Sequence, residues 1–525
     1  MKNLKDFVNR LESSHHSFKI LLSTFFCILF LRTFLETFSD LGNFWTPVSS
    51  LAFFIHFPMF YLCLVLALTI LLFLLTSEKI ERITKIVILF IPLILIVPTI
   101  DLILSRGKGY NQSYLFGDFT FLIRKFITIP WTLSRHAVTP GIQIEGIIIL
   151  LLVGIYVYLK TAKVYLTAVG VILSYTMVFI LGSVPSLITV LWNLKGKLML
   201  PEEMFSGGVM LYHPYSFNHK MAFILFPLLL LELGLWFWFY DRRKVCAFLK
   251  TLRGLRLLHY SCMLAIGMLI GFPSLHITDL FKFPFPLLIP ITAFFSGALA
   301  FWFAVGINDS HDVKADTIDN PSKPLVSGII NAEEHRIINI IFLILSLVAA
   351  YLVRYSFFVT ILTTIGLSYI YSAPPFRLKR VPILATFILA LCSAFVCLAG
   401  YSLFSEDASF KGFPFKYLIA IIVPFTFAFT VKDIKDMKGD RKTGINTLIT
   451  LFGEKSGKIV TGLLVSISYI SIPIILKSFI LMPFALICAL PSYFLINSKH
   501  TRETPIFLIY FLFLGIVLYS SIRAF

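Results

Sequence analysis

The chain of 525 residues is 58% hydrophobic and only 14% charged, with a mean hydropathy of +0.89. Soluble chains lie nearer half apolar and a quarter charged. A soluble enzyme, a secreted disulfide scaffold and a disordered chain are therefore excluded, and an all-α polytopic membrane protein is expected. The formal net charge is +18; in so apolar a chain this excess belongs to basic loops facing anionic lipid, not to nucleic acid. The seven cysteines form no CxxC pair and mostly sit inside apolar runs, as small core residues do.

In chain order, residues 1–17 carry Lys2, Lys5 and Arg10 with no small-residue cleavage site. The first apolar run is thus expected to stay as a membrane anchor. Six runs lie near 18–40, 50–76, 85–105, 144–160, 163–191 and 219–240, each about long enough to cross ~30 Å of hydrocarbon. The aromatic stretch 114–137, with Arg124, Lys125 and Arg135, reads as an interfacial helix. Glu36 follows Arg32 by four residues, the spacing of an intrahelical pair. Asp101 and Glu232 are costly in lipid and either line a polar cavity or face the other half of the chain. Residues 241–260 hold Arg242, Arg243, Lys244, Lys250, Arg253 and Arg256. They are predicted to form an amphipathic linker between a membrane domain of unassigned role (1–240) and a second domain (241–525).

Nine further runs lie near 261–280, 284–307, 337–353, 356–372, 383–405, 415–431, 459–476, 479–496 and 505–523, giving fifteen spans. The lone His276 reads as a core or interface residue. Loops after the second, fourth, sixth and eighth of these runs carry 15 basic residues, the opposite loops 5. The richer side is predicted to be cytoplasmic, with the basic 106–143 loop as the exception.

Two of these cytoplasmic loops carry matched acids. NDSHDVKAD (308–316) holds Asp309, Asp312 and Asp316; KDIKDMKGD (432–440) holds Asp433, Asp436 and Asp440. Both triplets are spaced three, then four, which places each on one face of a helix. Three carboxylates on one face repel each other, so the spacing makes sense with cations between them. Hard oxygen donors with no thiol or histidine cluster suit Mg²⁺, an ion readily shared with phosphate oxygens. The bland alternative is a pair of solvated helix ends. The basic residues on the same side favour the first reading: Lys323, then Arg377, Lys379 and Arg380, then Arg441 and Lys442. Such cations neutralise phosphate oxygens that a metal leaves exposed. A second reading is a divalent-cation transporter or channel using the two acidic helix ends.

The motifs resemble the UbiA superfamily of intramembrane prenyltransferases over about residues 241–525. NDSHDVKAD is similar to the family's NDxxDxxxD signature, and DNPSKPLVSG (319–328) to its NxPxRPLPSG stretch. KDIKDMKGDRKTGINTL (432–448) is similar to DxxxDxxGDRxxGxxTL, and YSAPPFRLKR (371–380) to YSxPPxRLK. The resemblance implies a nine-helix bundle, here preceded by about six additional transmembrane helices. It implies an enzyme that takes a polyprenyl diphosphate donor from the membrane and alkylates an aromatic ring or other lipid-precursor acceptor. The aspartates would bind Mg²⁺: Asn308, Asp312 and Asp316, with Asp309 nearby, at one site; Asp436 and Asp440, with Asp433 adjacent, at the other. Asp312, Asp316, Asp436 and Asp440 would carry catalysis, and Lys323, Arg377, Lys379 and Arg441 would hold the diphosphate. Asp319 stands where the family usually has Asn, and Lys323 where it usually has Arg. Lys379 lies eight residues after Tyr371, a form more like that of homogentisate, chlorophyll or archaeal-lipid prenyltransferases.

Overall fold

The computed structural model describes residues 2–14, 18–39, 52–132, 136–194, 199–206, 209–210, 213–214, 216–271, 285–405, 410–499 and 501–524. Arg135, His276 and the end of the 261–280 run lie outside the described residues. The chain divides into two compact units, Met1–Arg242 and Arg243–Phe525. Among the described residues, fourteen helices are long and apolar enough to cross a membrane, five in the first unit and nine in the second. The expected all-α membrane architecture is therefore present.

Unit 1 comprises α1 (Lys2–Ser13), α2 (Phe18–Ser39), α3 (Phe57–Thr76), α4 (Ile80–Leu89), α5 (Ile96–Leu104), α6 (Phe119–Thr128), α7 (Pro140–Thr161), α8 (Val164–Gly182), α9 (Val184–Asn193), α10 (Pro201–Ser206) and α11 (Phe217–Tyr240). α2 is a sixth long apolar helix, but it carries Lys19, Arg32 and Glu36. The run expected as one span over 163–191 breaks at Ser183, because Pro185 starts a new helix more readily than it continues one. α6 is a short helix with Phe119, Ile123 and Ile127 exposed and Leu122 buried, as an interfacial helix would be. Asp101 is fully buried and accepts from the Gly141 amide (2.8 Å) and from Thr139 Oγ1, so it ties α5 to the start of α7. Arg32 and Glu36 form the expected intrahelical pair.

Unit 2 opens with α12 (Arg242–Leu249), whose first residue is the last of unit 1. Its helices are α13 (Gly254–Gly271), α14 (Leu288–His311), α15 (Val313–Asp319), α16 (Ala332–Val353), α17 (Tyr355–Ser372), α18 (Leu384–Phe404), α19 (Phe415–Ala428), α20 (Met437–Thr443), α21 (Leu448–Phe452), α22 (Glu454–Leu476), α23 (Met482–Ile496) and α24 (Glu503–Ala524). α13 begins seven residues earlier than the apolar run predicted, so Arg256 lies on the helix and not in a linker. α18 is the most buried span, and it packs closely on α13. A Cβ on Gly400 would sit 2.0 Å from the Leu264 carbonyl oxygen. Small residues let the two backbones approach, the usual route to close packing where lipid offers no hydrophobic drive between helices. α14 and α16 are joined by reciprocal bonds: Ser296 Oγ donates to the Ser346 carbonyl (2.9 Å), and Ser346 Oγ to that of Ser296 (2.8 Å).

Candidate functional site

Each acidic triplet straddles a break in its helix, where the spacing had suggested one continuous face. α14 ends at His311 and the chain restarts as α15, with Asp312 at the joint. In the second triplet Asp433 sits in a 3₁₀ turn, Phe429–Ile434, and Asp436 precedes α20. Asp312 and Asp436 thus occupy the position before a helix where Asp commonly caps. Neither side chain caps its helix, so both carboxylates are available to other partners.

α15 and α20 pack against each other. The Gly439 amide donates to Asp319 Oδ2 at 2.7 Å. A Cβ at Gly439 would lie 2.3 Å from that oxygen and 2.9 Å from the Ala315 carbonyl, so the second motif needs glycine for this approach. The Asn320 amide nitrogen lies 3.5 Å both from Asp316 Oδ1 and from Asp436 Oδ1. The two acid clusters therefore face each other across a single side chain.

The cations arrive from three other segments. Lys323 Nζ bridges Asp309 Oδ1 (2.8 Å) and Asp316 Oδ2 (2.7 Å). Arg377 has a left-handed backbone (φ +42°) and opens the 3₁₀ turn Leu378–Arg380. Its Nη2 donates to Asp312 Oδ1 (3.0 Å) and to the His311 carbonyl (3.1 Å). Lys379 is buried, pairs with Asp312, and donates to Asn308 Oδ1 at 3.2 Å. Lys432 pairs with Asp433 and lies over the Tyr371 ring.

Of the residues singled out from sequence, Asn308, Asp312, Arg377 and Lys379 form one bonded set and Asp309, Asp316 and Lys323 a second set beside it, which Asp436 adjoins through Asn320. Asp433 pairs with Lys432 instead. Among the described residues neither Asp440 nor Arg441 has an ion pair, and Arg441 is exposed. Sequence reasoning missed Arg253, whose Nη2 donates to Asp309 Oδ1 at 2.9 Å. It also missed Asn320 and Lys432 as site residues. The DNP tripeptide was a signal for Asn320; Arg253, 56 residues from its partner, offered none.

Burial pushes the Asp316 carboxyl above its ordinary range, against the pull of Lys323. Asp440 is pushed up to about 7 by burial and then by the charges of Asp433 and Asp436. Crowded carboxylates are tolerable when cations join them. Among the described residues no three acids or histidines yet converge in a metal-binding geometry. The donor set nevertheless fits Mg²⁺: six carboxylates and one amide oxygen, all hard, at one end of the bundle. It also fits a phosphate, because Arg377 Nε is buried with no hydrogen-bond partner.

An apolar cavity of about 450 Å³ lies between α13, α19, α22 and α24. His259, Phe425, Phe429, Tyr469 and Tyr510 line it, as does Val431, two residues before Asp433. His259 is held by Tyr510 Oη (2.7 Å) and Ser393 Oγ (2.9 Å), so its ring stays fixed against the cavity wall.

Residues 265–520 match the UbiA prenyltransferase family, and through this segment the chain belongs to that family. The chain is 30% identical over 161 residues to a probable chloroplastic homogentisate phytyltransferase 2 of Oryza sativa, covering 29% of this chain and 42% of the relative. It is 34% identical over 166 residues to a digeranylgeranylglyceryl phosphate synthase of Sulfolobus acidocaldarius, covering 30% and 57%. The chain thus spans about half the length of the curated relatives it matches. A solved UbiA homolog from Archaeoglobus fulgidus bound to GPP and Mg²⁺ is 23% identical, with a TM-score of 0.40, covering 51% of this chain and 97% of the homolog. Neither the fold nor these relatives support cation transport.

Proposed function

We propose that unit 2 is an integral-membrane prenyltransferase that moves a polyprenyl group from an allylic diphosphate to an aromatic or other lipid-precursor acceptor. The observation that carries this reading is the facing of two acid clusters across Asn320, with Lys323 paired to Asp316 and Arg377 and Lys379 paired to Asp312. Asn308, Asp309, Asp312 and Asp316 on one side, and Asp433, Asp436 and Asp440 on the other, would hold Mg²⁺. When bound, the metal supplies positive charge against the departing diphosphate.

The remaining work falls to the chain. Lys323, Arg377 and Lys379, with Arg441 from the solvent side, stabilise the negative charge that develops as the carbon–oxygen bond to diphosphate breaks. Arg377 Nε is a buried donor in this set with no hydrogen-bond partner among the described residues. The cavity along α19 takes the hydrocarbon chain and keeps water from the allylic cation, and the rings of Phe425, Phe429 and Tyr510 turn aromatic surface toward it. The Tyr371–Lys379 spacing resembles that of enzymes acting on homogentisate or archaeal lipid precursors, and a probable homogentisate phytyltransferase and a digeranylgeranylglyceryl phosphate synthase are among the named relatives. The acid clusters are assigned to the cytoplasmic side on loop charge.

The test is diphosphate release by the purified protein with polyprenyl diphosphates, Mg²⁺ and an acceptor panel. Asp312→Ala and Asp436→Ala are each expected to lower turnover by about 10²–10³-fold. No release by the native protein, together with unaltered donor binding in both variants, would remove the reading.

A further inference from the structure

Unit 1 holds a cavity of its own, about 760 Å³, within the ~300–1,000 Å³ of small-molecule sites. Most of its wall is hydrocarbon from α3, α4, α7 and α8, such as Leu68, Leu72, Ile149 and Val153. Ile147, Ile155 and Val178 line it and are also exposed, so it opens on the flank of the unit, where lipid chains would lie.

The charged residues on its wall are Arg32, Glu36 and Glu145, two carboxylates against one guanidinium. Arg32 Nη1 is committed to Glu36. Glu145 is 9% exposed and feels the charges of both. Among the described residues it has no hydrogen bond or ion pair. Arg32 Nε and His56 Nδ1 are buried on the same wall with no hydrogen-bond partner, while His56 Nε2 is tied to Tyr114 Oη at 2.7 Å. A buried carboxylate left unpaired is costly, and unmet buried polar atoms are rare enough to call for a partner. Three such groups on one cavity define the head of a ligand. It must accept from Arg32 Nε and donate to Glu145, and a hydroxyl does both. A phosphate would meet an excess of negative charge. The apolar wall asks for a long chain.

We propose that unit 1 binds an uncharged, hydroxyl-headed amphiphile, its head against Glu145, Arg32 and His56 and its chain along α3 and α7. This site is separate from the diphosphate site and does not depend on the prenyl-transfer reading.

The experiment uses the full-length protein in nanodiscs. It is photolysed with a diazirine-bearing long-chain diol or with the phosphate monoester of the same chain, and labelled peptides from 57–72 and 142–156 are quantified by mass spectrometry. The diol is expected to label them about tenfold more than the phosphate, and excess unlabelled diol to abolish the signal. Gly146 lines the cavity with open space where a Cβ would go. Gly146→Phe should therefore suppress labelling without lowering the unfolding temperature, and Glu145→Gln should raise phosphate labelling toward that of the diol. Equal labelling by diol and phosphate in the native protein overturns the proposal. So does labelling that unlabelled diol does not compete away, or that a folded Gly146→Phe variant does not lower. If Gly146→Phe fails to fold, Gly146→Leu and the competition series on the native protein decide.

Discussion

Asp319 and Gly439 account for a departure visible in the sequence. An acid stands at position 319, where the family usually has Asn, and its carboxylate holds the amide of the second motif's glycine. Gly439→Ala is expected to force α15 from α20, cost about 1–3 kcal/mol and lower the unfolding temperature together with donor binding. Lys323 is the other departure. It joins Asp309 to Asp316, so Lys323→Met should leave the Asp316 carboxylate without its counter-ion beside an Asp309 held by Arg253 alone and lower kcat/KM about tenfold or more, as read by diphosphate release. Lys323→Arg should keep most of the rate. The acids and most of their counter-ions were legible because each lies in a short motif with its own spacing. Arg253 was not, because its partner is brought to it only by the packing of α13 beside α14.

At the scale of elements, the nine spans of unit 2 were legible from apolar run length, because lipid demands that length. The breaks at Asp312 and Asp436 were not. A three-then-four spacing fits an unbroken helix as well as two short ones meeting at an aspartate, and the choice is made by what that aspartate bonds. Here Arg377 and Lys379 draw Asp312 away from its capping role. The tightness of the α13–α18 crossing was also invisible, since Gly in a membrane helix marks either packing or a kink. Gly400→Val is expected to push the Leu264 carbonyl away and lower stability by about 1–3 kcal/mol, measured as a drop in unfolding temperature. Ala substitution of Gly366, where a Cβ meets nothing, should leave that temperature unchanged.

For the whole molecule, the loop-charge asymmetry makes a topological prediction. In a cysteine-free background, Lys442→Cys should react with a membrane-impermeant maleimide only after the cytoplasmic side is opened, and Lys477→Cys should react from outside. The reverse pattern would place the acid clusters on the other face. Chelating divalent ions should abolish diphosphate release, and adding Mg²⁺ back should restore it; turnover that survives chelation counts against metal assistance. The role of unit 1 stayed illegible because its buried acids come from helices far apart in sequence, and a lone Glu in an apolar run says only that it must be satisfied. The clasp between Asp319 and Gly439 has a mechanical outcome. Because the carboxylate holds the amide of a glycine that has no room for a Cβ, a substitution at either residue is expected to displace α15 and α20 together, and so both motifs at once.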